Sequence, residues 1–247
     1  MLLVNPQHIK QVPGRKTDVK DCQWIAQLLQ HGLLRGSFVP PKSIRELRAL
    51  TRQRSQLVAE KAAVANRIQK TLEDANIKFN SVASDVLGVS GRAMIRVPIA
   101  GQEDSDELAE LARQRLRRKL PAFRTALQGP ITEHHLFMLR MLMIQLDPLE
   151  GLIAGFSARI EAVMPPFAAA VERLTTIPGV DQRMAESLVA EIGSDMERYP
   201  RADHLASWAV MSPGNDQSVG KRRSGRTTKG DRWRRQTLTQ VAGETGT

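Results

Sequence analysis

Two long apolar stripes constrain this chain more than anything else in it. From Ser43 onward Leu47, Leu50, Leu57, Val64, Ile68 and Ala75 step by threes, fours and their sums. From Thr132 onward Leu136, Leu139, Met143, Leu146, Leu149, Ile153, Phe156, Ile160 and Val163 do the same. Returns at that spacing put apolar side chains on one side of a helix, and a heptad-like run asks for a partner helix along its whole length. Ser43 is placed to cap the first helix. Pro148 interrupts the second, where a kink is expected because proline offers no N–H and crowds the preceding turn. Charged residues, Arg54 and Lys61, stand at positions of the first stripe that face a core. Two such helices joined by a connector fold back as an antiparallel coiled-coil arm, or pack into a compact bundle. The stripes leave both open, and either makes the chain mainly α.

The remaining segments are shorter. Met1 to Asn5 reads as a strand running into Asn5-Pro6. Val19, Trp24, Ile25, Leu28 and Leu29 recur at helical spacing from Asp18 to His31, with Thr17 or Asp18 as cap and Gly32 as stop. Phe38-Val39-Pro40-Pro41 is a linker. Residues 76–101 read as irregular, and a further helix is expected from Ser105 to Leu120. Pro165-Pro166 closes the long-helix region. A helix over 168–175, the tight turn Ile177-Pro178-Gly179-Val180, and a helix from Asp181 to Ile192 ending at Gly193 complete a helical hairpin. The divisions expected are 1–42, 43–165 and 166–247. A helix, a glycine turn and a helix form a unit that grips a phosphate backbone without reading bases, through N–H groups near Gly179 and at the second helix's N-terminus. Asp181 stands where a second glycine is more usual, and its charge repels phosphate. It also suits a simple helix cap, so a plain helical hairpin stays an open reading.

Charge narrows the partner. The 247 residues carry 36 Lys and Arg against 26 Asp and Glu, a formal net charge of +10, and the pI is near 10.3. Such a balance points to a polyanion, with duplex DNA first. A membrane surface is disfavoured, because no long segment pairs a basic face with aromatic anchors and no apolar run spans a bilayer. Aromatics are 4% of the chain, too few for a platform that stacks single-stranded bases. One cysteine, Cys22, rules out an internal disulfide framework and a cysteine-rich zinc site. A reducing cytoplasm is the expected compartment.

Chemistry-bearing residues fall in two places. Ser218 lies in the glycine-bearing stretch 212–220, expected to be a flexible loop, which runs into Lys221, Arg222, Arg223, Arg226, Lys229, Arg232, Arg234 and Arg235. Lysines and arginines neutralise phosphates and release counterions, and a hydroxyl held among them is placed to attack a phosphodiester. A solvated basic tail with incidental serines reads the same residues more plainly. Asp18 and Asp21 are three residues apart, on one face if helical. Carboxylates so placed suit Mg²⁺, which takes few protein ligands and keeps its waters; they also suit the positive end of a helix.

Set in order, these pieces resemble one family. Val-Asn-Pro, Pro-Gly-Arg-Lys-Thr-Asp-x-x-Asp and Leu-Leu-x-His-Gly-Leu-Leu-Arg-x-Ser-Phe-Val-Pro-Pro open the chain. Ile177–Val180, Leu205–Ala209 and Pro213–Gly230 close it. Together they resemble the DEDD transposases of bacterial insertion sequences, more narrowly the "one-ten" class, or bridge recombinases. The resemblance covers nearly the whole chain. It implies a remnant of an RNase H/RuvC-like α/β domain, a long helical coiled-coil arm and a small helical C-terminal domain with a helix-hairpin-helix-like unit. It implies Mg²⁺ held by four acids, of which Asp18 and Asp21 match the Asp-x-x-Asp pair. It implies a serine nucleophile at Ser218 that forms a phosphoserine link with DNA. It implies a structured guide RNA, and a homo-oligomer with composite sites.

The first acid of the family's set and its glutamate have no counterpart here. Residues 243–247 depart from the family's usual helical continuation and look foreign. The expectation is therefore a copy truncated at both ends that does not catalyse transposition alone. The alternative is a non-catalytic basic helical nucleic-acid-binding protein that inhibits full-length transposase by mixed assembly.

Overall fold

The computed structural model describes residues 2–4, 21–34, 36–78, 87–99, 121, 131–209, 211, 216–218, 221–224 and 232–244. These are mainly helical and form two compact units, Met1–Glu46 and Leu47–Thr247.

In the first unit, helix α1 spans Asp21–Gln30 and buries Leu28. Gly32, at φ +67°, ends it. The Leu33 N–H reaches the Leu28 carbonyl at 2.9 Å and the Gly32 N–H the Leu29 carbonyl at 3.1 Å. This paired closure needs a left-handed residue just past the helix, which glycine supplies without strain. The strand expected over residues 1–5 is smaller among the described residues: Val4 and Gly36 form a single antiparallel bridge. The Ser37 N–H adds a bond to the Leu3 carbonyl at 2.6 Å.

Helix α2 spans Lys42–Asp74. It begins at Lys42, directly after the two prolines, so Ser43 lies inside the first turn and is not the cap. Leu47, Leu57, Val64, Ile68 and Ala75 of the expected stripe are buried, joined by Ile44, Thr51 and Leu72; Leu50 is half-buried. Asn76 ends α2 at φ +57°, with the Ile77 N–H bonded to the Leu72 carbonyl at 2.8 Å.

Residues expected to be irregular contain a helix, α3, over Val89–Ile99. The helix expected over 105–120 lies outside the described residues. Helix α4 spans Glu133–Val163 and runs through Pro148 as one element. The helix starts where expected: Thr132 caps it, accepting from the His135 N–H, and the His135 ring nitrogen Nδ1 accepts from the Thr132 N–H at 3.1 Å. Of the expected stripe, Leu139, Met143, Leu146 and Ile160 are buried.

Polar links set the direction of the two long helices. Lys61 of α2 meets Glu150 of α4 at 2.6 Å, and Asp74 meets His135 at 3.1 Å. Positions rising along α2 pair with positions falling along α4, so the helices run antiparallel. Helix α3 packs on α4: Arg92 bonds both Glu150 and the Leu87 carbonyl, and Arg96 lies 3.3 Å from Asp147. Glu150 thus sits between Arg92 and Lys61. Their hydrogen bonds, Arg92's first, lower its pKa from 4.5 to about 2.

A short 3₁₀ turn, Pro165–Phe167, leads into α5, Ala168–Thr175. Helix α6 spans Gln182–Ile192 and α7 spans Ala202–Trp208. An antiparallel hairpin of β1, Asp216–Ser218, and β2, Lys221–Ser224, follows. Helix α8, Arg232–Glu244, packs against α6. It takes in Gly243 and Glu244, two of the residues expected to look foreign.

Candidate nucleic-acid interface

The α5–α6 connection follows from four residues. Pro178 fixes φ at the second position of a turn and Gly179, at φ +81°, fills the third. The Val180 N–H closes it on the Ile177 carbonyl at 3.0 Å. Val180 is buried while Gly179 and its neighbours face outward, so the turn presents backbone at the surface. Asp181 caps α6, its Oδ1 accepting from the Met184 N–H at 2.7 Å. One N-terminal donor of α6 is therefore already spent on a carboxylate. The cap reading of Asp181 holds.

Two arginines of α2 grip the opposite end of α6, and a third reaches its middle. Arg48 donates to the Ala190 and Glu191 carbonyls at 3.0 and 2.9 Å, placing a cation where the helix dipole is negative. Arg52 forks onto the Glu191 carboxylate at 2.6 and 2.8 Å. Arg54 meets Glu186 at 2.8 Å, and Gln182 donates to the other Glu186 oxygen at 3.2 Å. Glu186 and Glu191 are both buried, and a buried carboxylate persists as a charge only when it is paired. The sequence flags Arg54 as a charge at a core position. Its partner, more than a hundred residues away, carries no local signal.

This seam fixes the basic C-terminal helix. The Arg52 guanidinium lies 5.8 Å from the centre of the Trp233 ring, in range for a cation–π contact. Leu238 of α8 lines an apolar cavity of about 500 Å³ with Leu174, Ile177, Leu188, Ile192 and Leu205. Arg232 opens α8, Arg234 follows Trp233, and Arg235 is exposed.

Ser218 is not in a loop. It ends β1 and pairs in register with Lys221, the first residue of β2; Gln217 pairs with Arg222 and Asp216 with Ser224. The register slips between Asp216 and Gln217, where β2 carries the extra residue Arg223. Val219 and Gly220, which join the strands, lie outside the described residues, as do Arg226 and Lys229. The structure therefore brings Ser218, Lys221, Arg222 and Arg223 into one hairpin.

The acids are placed less fully. Asp21 is the first residue of α1, within Met1–Glu46, and Asp18 lies outside the described residues. Among the described residues no group of three or more His, Cys, Asp or Glu is arranged to hold a metal, and no helix is long and apolar enough to cross a membrane.

Two family models match the chain. The model for transposases of the IS116/IS110/IS902 family matches residues 171–245, from α5 through the hairpin to α8. A DEDD transposase model matches residues 1–77, from the N-terminus through α2. Among curated proteins, none matches.

Proposed function

The chain belongs to the IS116/IS110/IS902 family of transposases, and from this premise we propose that its C-terminal unit holds duplex DNA with Ser218 as the nucleophile of transposition. The observation that supports this most is the hairpin register, in which Ser218 stands opposite Lys221 at the head of a strand of three consecutive cations. Lys221, Arg222, Arg223, Arg226, Lys229, Arg232, Arg234 and Arg235 neutralise backbone phosphates, and the exposed turn at Gly179 adds backbone donors. The α5–turn–α6 unit acts on this reading as a helix-hairpin-helix, with Asp181 limiting its hold on phosphate.

In the proposed step the Ser218 Oγ bonds to phosphorus, the bond from phosphorus to one deoxyribose oxygen breaks, and that oxygen departs with a proton. The protein is left joined to DNA through phosphoserine. A serine hydroxyl needs activation, and cations around the phosphate stabilise the charge that develops there. Two carboxylates three residues apart are hard-oxygen donors of the kind Mg²⁺ takes. Asp18 and Asp21 would hold it as half of the family's set, and Mg²⁺ supplies nucleophile activation and leaving-oxygen stabilisation when bound.

The divisions 1–42, 43–165 and 166–247 are proposed as the RuvC-like part, the helical coiled-coil arm and the serine-bearing part. The arm joins copies into a homo-oligomer with composite sites, and a structured guide RNA is the further partner.

Because these 247 residues match only two of the four acids, the chain alone is expected to bind DNA without a covalent adduct. Mixed with a family member carrying all four, it should yield an adduct on its own Ser218, seen as a mass shift on a denaturing gel. Ser218→Ala should remove that shift and Ser224→Ala should keep it. An adduct that survives Ser218→Ala and disappears in Ser224→Ala would place the nucleophile at the wrong serine.

A further inference from the structure

Arg54 of α2 and Glu186 of α6 are both buried and form an ion pair at 2.8 Å. Stability alone gives no reason for it, because apolar residues of similar volume often replace a buried ion pair without loss. What two leucines cannot do is hold a third polar group. The Glu186 carboxylate has two oxygens, and each has a different partner. Oε2 accepts from Nη1 of Arg54 at 2.8 Å, and Oε1 accepts from Nε2 of Gln182 at 3.2 Å.

Gln182 is the first residue of α6 and follows closely on the exposed turn at Gly179. The N–H groups of Gln182 and Arg183 have no acceptor inside the helix, as in the first turn of any helix, whereas Asp181 takes the N–H of Met184. Those two N–H groups are donors that the head of α6 offers to a phosphate. A side-chain bond from one residue to the fourth beyond it holds a helical turn in shape. Here that bond ends on a carboxylate that α2 fixes. The far end of α6 is fixed to the same helix, by Arg48 on the Ala190 and Glu191 carbonyls and by Arg52 on the Glu191 carboxylate. Helix α6 is thus pinned to α2 at its middle and its far end, and Gln182 ties its first turn to both. The direction of the first-turn donors is set before DNA arrives, and preorganised donors give up less freedom on binding.

We propose that Arg54 is a positioning residue for DNA binding, which through Glu186 and Gln182 aligns the N–H groups at the head of α6 with a phosphate. The inference rests on the reading that the α5–α6 turn contacts DNA, and it names what aligns that turn. Arg54→Leu combined with Glu186→Leu removes the link, keeps the site filled and leaves the net charge unchanged. In the full chain this pair of changes should leave the urea midpoint near that of the parent. The slope of log affinity against log salt for duplex DNA should nevertheless become shallower by roughly 1, the loss of about one phosphate contact. Asp181→Asn probes the alignment. It should tighten binding in the parent, and that gain should vanish in the leucine pair, because a charge removed beside misaligned donors leaves nothing to improve. Gln182→Ala cuts the last link at an exposed residue and should abolish the gain in the same way; it decides the matter alone if the leucine pair does not fold. Asp181→Asn without effect in the parent overturns the turn reading, and this inference with it. A gain undiminished in either background, or a salt slope unmoved in the leucine pair, overturns the role of Arg54 alone.

Discussion

Arg52 joins three helices with one guanidinium: it forks onto Glu191 of α6 and faces Trp233 of α8 from its seat on α2. Its neighbour Arg54 tests what this seam contributes. Arg54 and Glu186 are 6% and 10% exposed in their side chains, so removing one leaves the other charged without its partner. Arg54→Ala is expected to destabilise the protein by about 3 kcal/mol, whereas replacing Arg54 and Glu186 together by leucine should be close to neutral. Urea unfolding measures both, and a small loss in the single variant would mean that water reaches Glu186. Glu150 gives a pH signature. Its folded pKa is about 2 against an ordinary 4.5, held down by Arg92 and then Lys61. Its stabilising contribution is therefore complete above pH 4.5 and is lost as pH falls from 4.5 toward 2. Glu150→Gln should lose less stability than the parent across that window; equal losses would contradict the assignment.

At the scale of elements, the α5–α6 hairpin was legible nearly to the residue, because its signals are local. Pro178-Gly179 names its turn, Asp181 its cap and Gly193 its stop. Thr132 at the head of α4 is similar. The hairpin around Ser218 was not legible: its strands are three and four residues long, rich in polar and charged residues, and without an alternating apolar pattern. Its register is a backbone property that composition does not announce. Helix α3 was hidden by Gly91 and Pro98, which break a helical pattern in sequence, although packing on α4 holds it. Asp181 separates structure from binding. Asp181→Ala should cost about 1 kcal/mol through loss of the cap. Asp181→Asn keeps a capping oxygen and removes the charge, so it should bind DNA more tightly with little change in stability. Unchanged affinity for Asp181→Asn would remove the turn at Gly179 from the DNA contact.

For the whole molecule, the proposed function makes electrostatics the expected main source of DNA affinity, given ten net positive charges and a basic C-terminal unit. Metal is expected to play the smaller part in this chain. Two matched carboxylates should give no micromolar Mg²⁺ site by titration calorimetry, and such a site that vanishes in Asp18→Ala would show a more complete set than Asp18 and Asp21. The central claim is that the basic hairpin holds DNA phosphates. It is tested most directly by the slope of log affinity against log salt for duplex DNA, measured for the chain and for the combined Lys221→Ala, Arg222→Ala and Arg223→Ala variant. The chain should show a steep negative slope, and the variant a slope shallower by roughly 2 to 3, the loss of about three phosphate contacts. Affinity indifferent to salt, or identical slopes for the two proteins, would contradict the account.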